Sequence, residues 1–166
     1  AWTEATDLNT ARATNGGAGT TTSALAPIGK NPGTQRVNNN ESWNGSAWTE
    51  VADVNTSRRD GGGTGASNTN AIIFGGFEAD SPPGSQSAKT EVFNGSSWSE
   101  KGDLSTARST SGSAGITSTA ALFFGPPAKT ESWNGAAWTE VAELNTERQY
   151  LGGAGAYTAA LAIGGD

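Results

Sequence analysis

The side chains in this sequence that could do chemistry are carboxylates, arginines and aromatics, because it contains no His, no Cys and no Met. Without imidazole or thiolate, a zinc or copper site with the usual nitrogen and sulfur ligands cannot form. A Ser-His or Cys-His nucleophile is excluded for the same reason. Two carboxylates flanking a sugar linkage could hydrolyse it, and Asp7/Asn9 and Asp53/Asn55 offer the hard oxygens that calcium takes. No calcium-loop pattern or dense acid cluster accompanies those pairs. Asp and Asn are also ordinary turn residues, because their side chains bond the nearby backbone. Most of the acids recur in register along the chain, which suits architecture better than catalysis. The expectation is a protein that is not an enzyme and carries no metal or cofactor.

The arginines and aromatics recur as well. Arg12, Arg58, Arg108 and Arg148 could ring an anionic ligand. Each comes with matching acids, Glu4, Glu50, Glu100 and Glu140 or Asp7, Asp53 and Asp103, so each is expected to pair with a carboxylate of its own or the neighbouring unit. Trp2, Trp43, Trp48, Phe93, Trp98, Trp133 and Trp138 could stack on sugar rings, but their spacing is that of a core shared between units. Trp2, Trp48, Trp98 and Trp138 and the four arginines are therefore read as structural repeat positions.

These recurrences define the elements. Aligned on Trp2, Trp48, Trp98 and Trp138, the sequence repeats at intervals of roughly 40–50 residues, a length that signals a repeat architecture. Units start near residues 1, 47, 97 and 137 of a single domain spanning 1–166. After each Trp come an acid, then Leu8, Val54, Leu104 or Leu144, then Thr10, Thr56, Thr106 or Thr146, then the arginine. A Gly/Ala/Thr-rich stretch follows, such as Gly61 to Ala66, which predicts an innermost strand where backbones approach closely. The apolar runs Ala24 to Gly29, Ala71 to Gly75, Ala121 to Gly125 and Ala160 to Gly164 predict a buried second strand. The segments Glu41–Glu50 (ESWNGSAWTE), Glu91–Glu100 (EVFNGSSWSE) and Glu131–Glu140 (ESWNGAAWTE) predict two outer strands joined at Asn-Gly by a type I′ turn. That turn would set Trp43 opposite Ser46, with Trp48 on the same face.

Four antiparallel strands per unit describe a β-propeller blade. The pattern resembles the kelch repeat: an apolar run ending in Gly, an aromatic strand, then Trp48-x5-Val54-x3-Arg58, Trp98-x5-Leu104-x3-Arg108 and Trp138-x5-Leu144-x3-Arg148. The Asn-Gly turn is shorter than is usual for that family, the paired glycine is incomplete at Gly29-Lys30 and Gly125-Pro126, and Pro27 interrupts the first apolar run. The resemblance implies an all-β, kelch-like β-propeller with about four blade units, each a four-stranded antiparallel sheet, the last blade incomplete. The copper-oxidase chemistry found among kelch proteins needs His and Cys and is not carried over. No Asp-box of the sialidase type is present. The WNGxxWTE variant is similar to repeats of tail or fibre proteins of marine bacteriophages, which implies an extracellular or virion-surface location.

The ends and loops complete the expectations. Ala1 to Ala5 reads as an outermost strand, whereas the chain stops after the second strand of a unit, so the third strand there is expected from outside this chain or from another subunit. Partners are accordingly other copies or the remaining part of the same propeller, and a host-surface glycan or protein. A net charge of −6 and a pI near 4.6 argue against nucleic acid, and no apolar run is long enough for a membrane span. The connections from second to third strand vary most, at Lys30 to Asn40 and Gly76 to Ala88, against Pro126 to Ala128 in the third unit. Variation of this kind lies on one face of a repeat array, often the binding face. The candidate ligand-binding residues are Arg36, Asn38, Asn39, Asn40, Glu78 and Asp80 in those loops. Arg59, Asp60, Gln149 and Tyr150, beside the repeated arginines, complete the set. Two functions are compatible with this pattern, an adhesion module using that face and a purely structural propeller without a ligand.

Overall fold

The computed structural model describes residues 3–13, 16–33, 35–78 and 85–166, and among these the regular elements are strands, with no helix. The first unit comprises β1 (Ala18–Thr20), β2 (Ser23–Ala26), β3 (Gly29–Lys30), β4 (Arg36–Val37), β5 (Asn40–Trp43) and β6 (Trp48–Val51). The second comprises β7 (Gly62–Ser67), β8 (Asn70–Phe74), β9 (Thr90–Phe93) and β10 (Trp98–Glu100). In the third stand β11 (Gly112–Thr117), β12 (Ala120–Phe124), β13 (Thr130–Trp133) and β14 (Trp138–Val141), and the fourth holds β15 (Gly152–Ala156) and β16 (Ala159–Ile163). Three antiparallel sheets result, ordered β1-β2-β5-β6, β7-β8-β9-β10 and β11-β12-β13-β14, with a two-stranded β15-β16 as the last. The long first connection folds into its own small hairpin, β3 against β4.

In the second and third units the second strand, β8 or β12, is apolar because both its faces are covered. The expected burial of Ala160 to Gly164 is corrected: β16 is largely exposed, with Leu161 and Ile163 open to solvent because no further sheet covers them among the described residues. Side chains alternate across a strand, so Ala71 and Ile73 of β8 pack with Leu25, Ile28, Phe93 and Trp98, whereas Ile72 and Phe74 pack with Leu104, Phe123 and Trp133. Phe74 meets Phe123 and Trp138 edge-on, at centroid distances of 5.0 and 4.8 Å. Burying one such side chain contributes about 1.5–3 kcal/mol. A third cluster joins Ala114 and Phe124 to Leu151. Each unit thus seals the face of the one before it.

The glycine-rich strands lie innermost, as their composition predicts. β1 packs beside β7, β7 beside β11 and β11 beside β15. A β-carbon on Gly63 would stand 3.2 Å from the Gly17 carbonyl oxygen, and one on Gly153 would collide with the Ser113 carbonyl. Side chains are excluded there by neighbouring backbone, which is why small residues fill these strands.

Two local expectations are corrected. The hairpin loop is four residues, Asn44 to Ala47, and Trp43 pairs directly with Trp48 instead of Ser46. The Asn44 N–H donates to the Ala47 carbonyl at 3.3 Å, and the Asn44 Oδ1 accepts from the Ser46 and Ala47 N–H groups, each at 3.0 Å. The side chain replaces one backbone turn bond, so only Gly45 needs positive φ (96°), and a type I′ turn is not formed. Asn94 and Asn134 repeat the arrangement. In the second correction, the expected outermost strand over residues 1–5 is absent where described: residues 3–8 form no strand. Thr6 Oγ1 donates to Ser46 O and Asn9 Nδ2 to Trp48 O, so the segment lies along the first sheet as a connector.

Candidate functional site

The arginines come first, because a free ring of them would be an anion site. Each enters its unit just before the innermost strand and reaches past the end of the second strand to the third. Arg12 meets Glu41 at 2.6 Å, Arg58 meets Glu91 at 2.5 Å and Arg108 meets Glu131 at 2.8 Å. All six side chains are at most 2% exposed. The guanidinium also donates to backbone carbonyls: Arg58 to Lys89 at 2.8 Å, and Arg108 to Lys129 at 2.8 Å and Phe123 at 3.2 Å. The glutamates accept further from the incoming connector. Glu91 takes the N–H groups of Asn55 (2.8 Å) and Thr56 (3.3 Å), Glu41 those of Asn9 and Thr10, and Glu131 that of Ser105. Burial pulls the Arg58 and Arg108 guanidinium groups below the usual arginine value, while the charges of Glu91 and Glu131 pull them back.

These three arginines are clamps between strand, connector and carboxylate, with no open side for a ligand. The pairing confirms intramolecular carboxylates but corrects their identity. Glu50, Glu100 and Glu140 lie on the fourth strand of the sheet order, one spacing of about 4.8 Å further from the arginine, and they are exposed. Glu140 pairs instead with Lys129 at 2.6 Å. The Asn9 and Asn55 amides are likewise engaged, donating to the carbonyls of Trp48 and Trp98. Arg148 differs from the other three: it donates to the Gly164 carbonyl at 3.1 Å and is half-buried.

The tryptophans follow the same division. Trp98 and Trp133 are buried, Trp48 and Trp138 half-buried, and Trp2 lies outside the described residues. The ring pairs Trp43–Trp48, Phe93–Trp98 and Trp133–Trp138 sit 5.1–5.4 Å apart in tilted geometry.

The loop candidates separate into two groups. Asn38, Asn39 and Asn40 serve the scaffold. Asn38 bonds Asp53 at 3.3 Å and accepts the Val54 N–H, while Asn39 bonds Thr10 Oγ1 and accepts from Arg12. Asn40 is fully buried in β5 with its amide directed to the Ala52 carbonyl, so it is not a surface residue. Arg36 is half-buried in β4, and Asp80 lies outside the described residues. Glu78 accepts the Ser87 hydroxyl at 2.5 Å and faces Lys89 at 3.6 Å.

The second group converges. Arg59 lies over the Phe77 ring, 4.9 Å from its centroid, and pairs with Asp60. Phe77 is bridged on one side to Arg59 and on the other to Gln86, whose amide reaches Ser109 Oγ at 3.3 Å. Thr110 N donates to Asp60 O at 3.0 Å, and Tyr150 N donates to Thr110 O at 2.8 Å. Gln149 exchanges backbone bonds with Asp166, and Tyr150 is 68% exposed. Asp60, Thr110 and Tyr150 all have positive φ, 56°, 55° and 54°. Left-handed Thr and Tyr are uncommon because of their bulk, and here the inter-unit hydrogen bonds hold them. Sequence reasoning missed Thr110, Phe77, Gln86 and Ser109. The position two residues after each arginine is shared by Asp60, Thr110 and Tyr150, but no glycine or asparagine there announced the backbone conformation.

A cavity of about 470 Å³ also opens among the four innermost strands, lined by Gly63 to Gly65, Ser113 to Gly115 and Gly153 to Gly155, with Leu8 and Trp48 at its side. Its walls are mostly backbone and small side chains. No protein-family model matches the chain, and no curated protein matches it either.

Proposed function

We propose that these are kelch-type β-propeller units working as a non-catalytic binding module on a secreted or virion surface. The ligand is a glycan, held on the face where the units differ. The observation that carries this reading is the convergence of non-repeated residues there. The Arg59–Phe77 stack, Asp60, Gln86 and exposed Tyr150 are joined through Thr110 by backbone hydrogen bonds. An exposed ring at one end of this hydrogen-bonded row, with guanidinium, carboxylate and amide groups further along it, has the chemistry to stack on a sugar and bond its hydroxyls. Holding Tyr150 in a left-handed backbone would reduce the ordering cost of binding.

The test is a screen of purified protein against glycans and host-surface preparations, with Tyr150→Ala and Arg59→Ala beside the unaltered chain. Saturable glycan binding that falls at least tenfold in both variants supports the reading, and a protein receptor alone would replace the ligand class. A second reading, a structural propeller joining parts of a larger particle, is favoured by one observation: the repeated Arg12, Arg58 and Arg108 are closed onto Glu41, Glu91 and Glu131 and leave no ligand site there. Assembly without any ligand would decide for it.

A further inference from the structure

Asn44, Asn94 and Asn134 stand at equivalent places in the first three units, each exposed and each followed by glycine. Every Oδ1 accepts two backbone N–H groups. The donors are Ser46 and Ala47 at 3.0 Å, Ser96 and Ser97 at 2.9 and 3.0 Å, and Ala136 and Ala137 at 3.0 and 2.9 Å. The Ser46 hydroxyl adds a third donor to Asn44 alone, at 2.9 Å. Among the described residues the Nδ2 groups of these asparagines donate to nothing, and neither do the N–H groups of Gly45, Gly95 and Gly135.

That combination is what an intramolecular acyl transfer requires. The nucleophile is the nitrogen of the following residue, which in glycine has no side chain to hinder its approach. Positive φ at the three glycines, 96°, 97° and 94°, disfavours any larger residue there. The two N–H groups on each Oδ1 point at the atom that gathers negative charge in a tetrahedral intermediate, as the donors of an oxyanion hole do. The leaving group is an exposed nitrogen that no hydrogen bond retains. Fixing the side-chain carbonyl against its own main chain also lowers the entropic cost of ring closure.

We propose that the three Asn-Gly loops are self-modification sites, where the folded loop promotes conversion of asparagine to aspartate and isoaspartate. The Gly45 nitrogen loses its proton to solvent base and bonds to Cγ of Asn44. The Cγ–Nδ2 bond breaks, and Nδ2 takes up a proton and leaves as ammonia. Water then opens the succinimide at either carbonyl, giving aspartate or isoaspartate. Each event adds one negative charge, and isoaspartate lengthens the main chain in a loop whose register pairs Trp43 with Trp48. Asn44 reacts fastest because it has the third donor, and Asn94 and Asn134 are its controls within one molecule. The reaction is independent of any ligand on the variable-loop face.

The test incubates the whole chain in mildly alkaline buffer, folded and in parallel unfolded in urea. Peptide mapping by mass spectrometry follows each asparagine, and enzymatic methylation quantifies isoaspartate. All three loops should convert faster in the folded chain, with Asn44 leading. Ser46→Ala should slow Asn44 by roughly three- to tenfold, less than the loss of an enclosed oxyanion donor because water can substitute at this exposed site. Asn94 and Asn134 should keep their rates in that variant, whereas a general loosening of the fold would move all three. Conversion no faster in the folded chain than in urea would mean that the hydrogen bonds lock the amide, and would overturn the proposal. An Asn44 rate untouched by Ser46→Ala would overturn it as well.

Discussion

Arg108 and Arg148 hold the same place in successive units and occupy different surroundings. Arg108 is 1% exposed, ion-paired to Glu131 and bonded to two carbonyls, whereas Arg148 is half-buried with one carbonyl. The residue type is equal and so is the approach of the connector. What differs is the third strand, present as β13 in one unit and not found beside β16 among the described residues. The clamp is thus a property of three converging segments, not of the arginine. Taking a cation out of water costs several kcal/mol unless a well-placed carboxylate repays it, so the arginine is enclosed only where the third strand brings one.

The largest effect expected from breaking this contrast is in an intact unit. Glu91→Ala leaves Arg58 buried and uncompensated, and should cost about 3–5 kcal/mol in urea-induced unfolding. Replacing both partners, Arg58→Met with Glu91→Leu, should cost less than the single change, the remaining loss coming from the unpaired Asn55 and Thr56 N–H groups and the Lys89 carbonyl. If the single change costs no more than the double one, the clamp is not governed by burial of charge. Next comes the aromatic core. Trp133→Ala, at a site 1% exposed, should lose about 3–5 kcal/mol. Trp43→Ala, half-buried on the first sheet, should lose clearly less, and comparison of their thermal unfolding midpoints checks the order.

Smaller effects sharpen the picture. Asn134→Ala removes two side-chain-to-backbone bonds from an exposed hairpin loop. It should cost about 1 kcal/mol by denaturant titration, with the fold unchanged by circular dichroism. Smallest of all, Arg148→Met in the chain alone should shift stability by no more than about 0.5 kcal/mol. A loss comparable to that of Glu91→Ala would mean that Arg148 already has the partner the other arginines have.

Much of this was legible in the sequence, for a physical reason. Spacing survives translation into structure when the same contact must be made in every unit. The returning Trp, Leu, Arg and Gly positions therefore located the units, the inner glycine strands and the second strands, of which β8 and β12 are buried and β16 is not. The structural role of Arg12, Arg58 and Arg108 followed from the same recurrence. What failed depended on geometry across strands. Glu41 and Glu50 recur equally well, and only the order of strands in the sheet decides that the first is the buried partner. At Asn44-Gly45 the dipeptide suggested a two-residue turn, but the asparagine side chain can stand in for a backbone acceptor, and the longer loop lets Trp43 meet Trp48. The left-handed backbones of Asp60, Thr110 and Tyr150 are imposed by hydrogen bonds between units, which nothing in their side chains encodes. Of the candidates, Arg59, Asp60 and Tyr150 are linked through Phe77 and Thr110, Gln149 bonds Asp166, and Asn38, Asn39 and Asn40 brace the scaffold.

The connector residues Asn9, Asn55 and Ser105 each leave their own neighbourhood to bond the carboxylate of the sheet that follows. In three of the four units the connector thus carries the same key into the same lock. Whole repeats can be gained or lost by in-frame recombination without redesigning a junction, so copy number can drift while each joint keeps its chemistry. Only the loop positions outside those joints are left free to diversify one repeat at a time, since Asn39 is held by Arg12 and Thr10.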